Sequence, residues 1–111
     1  MVIREATDIA TGAAISSVSI RNVLVDGIPE PSENLAYPGW SEGISDNGDS
    51  VECRPRCAFG AREGPWKMVV QRSGYLDLSV EFEARYLHER RQSCAVRVWG
   101  ATELSLAMTR L

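Results

Sequence analysis

Cys53, Cys57 and Cys94 together with His88 supply three thiols and one imidazole, the donor set of a structural zinc site. The Cys53-x3-Cys57 spacing lies within the range such sites use. Pro55 sits inside it, however, and the other two donors would have to come from a loop and a distant strand. A lone pair at this spacing has little specificity, so we expect no metal and read the three cysteines as one disulfide with a thiol left over. Such a bond persists where the surroundings are oxidising, which points to an extracellular or periplasmic setting.

His88 is the sole imidazole and therefore the only histidine base available for nucleophilic catalysis. It falls in Leu87-His88-Glu89-Arg90-Arg91, a charged stretch expected to be solvated, and no Gly-x-Ser-x-Gly elbow accompanies it. We expect a solvent-facing histidine and no catalytic residue. Asp46, Asn47 and Asp49 around Gly48 resemble part of a calcium loop, but Cys57 stands where the bidentate glutamate would be. Asp and Asn there serve the amides of a tight turn, which is the reading we adopt. Neither GxGxxG nor GxxxxGK[ST] occurs, so no phosphate-cradling loop and no cofactor is expected.

Positioning any of these groups falls to short strands. The 111 residues suffice for one core, and 44% apolar with 24% charged residues is the make-up of an ordinary globular domain. No apolar run approaches the roughly 20 residues of a spanning helix, and no signal peptide is legible at Met1 to Ala6. An export signal would have been removed or would belong to a longer parent chain. Twelve basic and fifteen acidic side chains, net −3, are scattered along the sequence and create no field for polyanions, so nucleic acid is disfavoured as a partner. Arg54 and Arg56, with Arg90 and Arg91, read as charged protection of edges and turns.

Period-two alternation recurs throughout, while no stretch sustains helical spacing. Strands are expected at about Val2 to Ala6, Ala14 to Val25, Val51 to Ala58, Pro65 to Arg72, Leu78 to Glu83, Cys94 to Trp99 and Leu104 to Met108. The parity of apolar positions changes between Ile15 and Val18, which predicts a bulge or a change of sheet. Leu78, Val80 and Phe82 alternate with Ser79, Glu81 and Glu83 in the clearest half-buried pattern. Tyr86 to Gln92 should be an exposed hairpin or loop. The longest irregular stretch, about 26–49, holds three prolines and four glycines and centres on Tyr37-Pro38-Gly39-Trp40. A loop of that length tends to be functional, which makes Tyr37 and Trp40 the candidate binding residues; capping the end of the core is their other use. Seven short strands with turns at close spacing predict a β-sandwich over the whole of 1–111.

Four segments of the chain are similar to the carboxypeptidase regulatory-like domain, a transthyretin-like Greek-key sandwich. Ala6-Thr-Asp-Ile-Ala-Thr-Gly12 with Ala14-Ile15 resembles its first strand, turn and second strand, and Ser45-Asp46-Asn47-Gly48 its Asp-x-x-Gly hairpin. Glu63-Gly64-Pro65-Trp66-Lys67-Met68-Val69-Val70 resembles its Gly-aromatic strand, and Ser73-Gly74-Tyr75 the glycine-tyrosine turn after it. The resemblance implies a seven-stranded, transthyretin-like or Ig-like Greek-key sandwich and a disulfide joining Cys57, or alternatively Cys53, to Cys94. It also implies a non-catalytic role in stabilising, orienting or making contacts. Lys67 is the only lysine and no asparagine follows Asn47, so the self-crosslinking bond of related adhesin repeats is not expected. We therefore expect an exported accessory module contacting a protein or cell-surface partner; the alternative is a structural subunit, possible as a homo-oligomer joined through an unpaired strand edge.

Overall fold

The computed structural model describes residues 1–36, 41–60, 63–90, 96–100 and 102–111, and for 86–90 and 96–100 the backbone alone. Strand makes up 62% and helix 4%, so the chain is all-β. Tyr37 and Trp40 lie outside the described residues.

β1 (Val2–Asp8) buries Val2, Ile3, Ala6 and Asp8 and ends in the expected turn, where Gly12 N–H donates to the Asp8 carbonyl at 2.8 Å. β2 (Val18–Val25) buries Val18, Ile20, Val23 and Val25. That spacing breaks period two at Asn22, which takes φ +53°, and the register with the next neighbour slips between Arg21 and Leu24. The irregularity thus sits inside β2. Ala14 bridges Thr7 and Ile15 N–H donates to the Ala6 carbonyl at 2.8 Å, so the chain runs beside β1 there and takes β5 and β6 as partners from Val18, a change of partner within one sheet where the sequence predicts a bulge or a change of sheet.

The stretch 26–49 is more regular than its composition suggests. Asp26 and Gly27, at φ +53° and +75°, form a two-residue hairpin turn that returns the chain along β2 as β3 (Ile28–Pro29). One helical turn follows, α1 (Ser32–Leu35), with Leu35 buried, and then β4 (Glu42–Asp46). β4 pairs with β5 (Ser50–Ala58) through the turn expected at Asp46–Gly48. Asp46 Oδ1 accepts there from Gly48 N–H at 2.8 Å and from the Ser32 hydroxyl at 2.7 Å, so this carboxylate serves a turn and a helix start. The Ser32 hydroxyl, first, and the Gly48 amide hold its pKa below the usual value.

β6 (Gly64–Gln71), β7 (Leu78–Ala84), β8 (Tyr86–Arg90), β9 (Val96–Gly100) and β10 (Glu103–Met108) complete the chain. The described residues form ten strands where the sequence suggests seven. Eight join one sheet in the order β10-β1-β5-β2-β6-β7, with β3 along β2 and β4 along β5; β8 and β9 form a separate hairpin. Among the described strands only the β1–β10 pair is parallel. The sheet curls until it is nearly closed and barrel-like. Trp66 is 1% exposed at the centre of the core, edge-on to Phe59 at 6.4 Å and stacked on Phe82 at 5.9 Å.

Candidate functional site

Closure of the sheet depends on whether its two end strands, β7 and β10, meet. They meet at both ends. Beyond β10, Tyr75 and Arg110 form an antiparallel bridge, Leu76 N–H donates to the Thr109 carbonyl at 2.8 Å, and Leu111 N–H to the Gly74 carbonyl at 3.1 Å. At the other end the Thr102 hydroxyl accepts from Arg85 N–H at 2.8 Å. Between these ties, Leu78 to Glu83 and Glu103 to Ala107 share no ladder, so an edge of each strand is left without a strand beside it.

Burial marks the same opening. Inward-facing Ile3, Val18, Ile20, Val51, Trp66, Met68 and Val70 on the paired strands are buried, as are Leu106 and Met108 on β10, whereas Leu78, Val80 and Phe82 on β7 and Leu104 at the start of β10 are only half-buried. All four pack against the core yet lack a covering strand. The result is a slot six residues long, about 20 Å, with an apolar floor and, among the described residues, no strand laddered to either wall.

The tied end is held by Asp8, which is 1% exposed and the sole buried charged side chain among the described residues. Its Oδ1 accepts from Ala10 N–H at 2.9 Å and Thr11 N–H at 3.2 Å. Its Oδ2 accepts from the Tyr75 hydroxyl at 3.0 Å and Arg110 Nε at 2.6 Å. Burial raises the carboxyl's pKa, but these four donors outweigh it and bring the value down to about 2. A carboxylate with both oxygens so occupied is a poor base. It instead joins β1, the turn before β7 and the chain after β10.

Cys53 and Cys57 form a disulfide, their Cα atoms 5.8 Å apart. β5 changes partner there: residues 50–53 pair with β2 and 57–58 with β1. The excursion between them brings the two side chains together across four positions of a strand that would otherwise carry them about 13 Å apart. Both thiols that the resemblance offered to Cys94 are therefore taken up by each other; Cys94 itself lies outside the described residues. Both cysteines are fully buried, and closing so short a loop stabilises by about 2 kcal/mol. Gly43, at φ +68°, passes beneath the excursion, where a Cβ would stand 2.8 Å from the Arg54 carbonyl oxygen.

Compared with family models, curated proteins and solved structures, the chain matches none.

Among the described residues, the remaining candidates are not brought together. His88 lies on β8 opposite Val98, away from the disulfide strand in the pairing order. Asp49 and Asn47 belong to the β4–β5 turn. A shallow polar groove over β2, β5 and β6 is lined by Ser17, Ser19, Asn47, Glu52, Gln71 and Arg72. Its long side chains are engaged: Arg72 Nη1 donates to the Ser17 hydroxyl at 2.9 Å and carbonyl at 3.1 Å, and Gln71 Nε2 to Asp77 at 3.0 Å. The β7–β10 slot is the feature that sequence reasoning missed. Alternation along β7 identified its inward residues, but nothing local records that β10 fails to pair with it.

Proposed function

We propose that this protein is a non-catalytic binding module that makes protein contacts by adding an extended strand along the β7–β10 slot. The observation carrying the reading is that inward apolar residues are half-buried beside two strand edges with no ladder between them. Main-chain hydrogen bonds supply affinity in such strand addition, and alternate side chains entering the slot supply selectivity. The four similar segments support the non-catalytic part of the reading, and under it the carboxypeptidase regulatory-like Greek-key sandwich is the finer assignment. An extracellular or periplasmic setting suits the Cys53–Cys57 bond.

Carboxylates at Asp77, Glu81, Glu83 and Glu103 line the slot strands, so the favoured guest alternates apolar with basic residues. Titration with a six-residue Val-Arg repeat peptide, followed by amide NMR shifts, tests this. Shifts confined to 77–84 and 103–108, and absent with the Val-Glu repeat, are expected. Shifts elsewhere, or none at millimolar peptide, would overturn the reading.

A further inference from the structure

We infer that the guest is the β8–β9 hairpin of a second copy of this chain, laid along the β7 edge in a reciprocal, two-fold exchange. This rests on the strand-addition reading and names its partner. β8 and β9 pair from Tyr86↔Gly100 to Arg90↔Val96 and share no ladder with the barrel. A two-stranded sheet alone is marginal in water, so this one calls for a surface to lie against.

Its own slot is out of reach. Arg85 alone separates β7 from β8, and only 101–102 separate β9 from β10. The Thr102 hydroxyl ties these two legs together at the end of the slot, accepting from Arg85 N–H. Folding back along the same barrel would need a reversal at Arg85 alone on one leg, one residue fewer than the Asp26–Gly27 hairpin turn uses, and past Thr102, held by Arg85, on the other. The molecule is 51 Å long and 26 by 23 Å across, well beyond the roughly 30 Å of its nine-residue β5, as expected of a hairpin directed away from the barrel.

Charge and length fit a second copy. Residues 77–84 and 103–108 hold four carboxylates and no cation. Among the described residues their counter-charges, Lys67 to Glu81 at 3.2 Å, Arg85 to Glu83 at 3.2 Å and Arg4 to Glu103 at 3.5 Å, form exposed and therefore weak pairs. Residues 86–100 hold three arginines against one glutamate, and Val96-Arg97-Val98 supplies the apolar and basic alternation that the slot favours. A five-residue strand spans about 17 Å, close to the length of the opening. Because each hairpin leaves its barrel at the end of its own slot, a two-fold axis places each hairpin on the other's slot in one closed contact.

Sedimentation velocity on the whole chain, from about 1 to 500 µM, reads the association. A monomer–dimer equilibrium is expected, weakened about tenfold or more by Arg97→Glu alone and by Glu81→Lys with Glu83→Lys. All three changes together should restore it, since attraction returns with opposite sign, while thermal melting by circular dichroism shows that each variant is folded. A wild-type monomer across the range overturns the inference, as does a dimer whose strength ignores these charges or is not rescued. If the Val-Arg peptide still shifts the slot amides of a monomer, strand addition survives and only the second copy is excluded as the guest.

Discussion

Asp8 shows how one buried carboxylate can organise a chain without doing chemistry. Its four hydrogen bonds come from three separate segments, and Arg110, whose side chain is 68% exposed, reaches in from the surface to supply the shortest. Its folded pKa of about 2 lies below the ordinary carboxylate value near 4, so the unfolded chain takes up the proton first on acidification. The stabilisation is complete above about pH 4 and is lost as pH falls through the folded value. Urea midpoints of wild type and Asp8→Asn should therefore differ most at neutral pH and converge between about pH 4 and 2. A difference that persists unchanged at pH 2 would show that packing, not ionisation, sets the effect.

At the scale of the element, β5 decides where the sheet turns. It serves β2 with residues 50–53 and β1 with 57–58, and the Cys53–Cys57 excursion is the corner. Gly43 on β4 is the companion requirement, because a side chain there meets the Arg54 carbonyl at 2.8 Å in a backbone conformation that L residues avoid. Gly43→Ala should cost about 1–3 kcal/mol, read as a lowered urea midpoint with unchanged slope. Gly48→Ala, in open space at the neighbouring turn, separates the two causes, since it pays only for the positive φ. Equal losses at both positions would mean that the corner contact contributes nothing.

For the whole molecule, the governing feature is that the barrel is tied at two ends and open between them. Paired strands protect their amides from exchange, whereas an edge exposes those that face outward. Hydrogen exchange at about 1 µM, where self-association is least, should find fast amides within 78–83 and 103–107 beside slow ones on β2, β5 and β6. Raising the concentration should slow the β7 amides selectively. Uniform protection across all six barrel strands at low concentration would show that the slot is closed in solution.

Much of this was legible from local pattern. The alternation of Leu78, Val80 and Phe82, the strand around Trp66 and the turns at Asp8–Gly12 and Asp46–Gly48 all follow from steric rules that act over a few residues. The same rules could have found Asp26-Gly27 as a hairpin turn and the 20-to-23 parity change as the bulge in β2; proline and glycine content masked the first, and the neighbouring change at Ile15 the second. Pairing is different. Whether Cys57 meets Cys53 or Cys94, and whether β10 reaches β7, depends on how far the sheet curls, and that curl sums contributions from every strand. Residue types along the chain therefore set the strands and their inward faces, while only the assembled barrel decided that the inward face of β7 would be left partly uncovered.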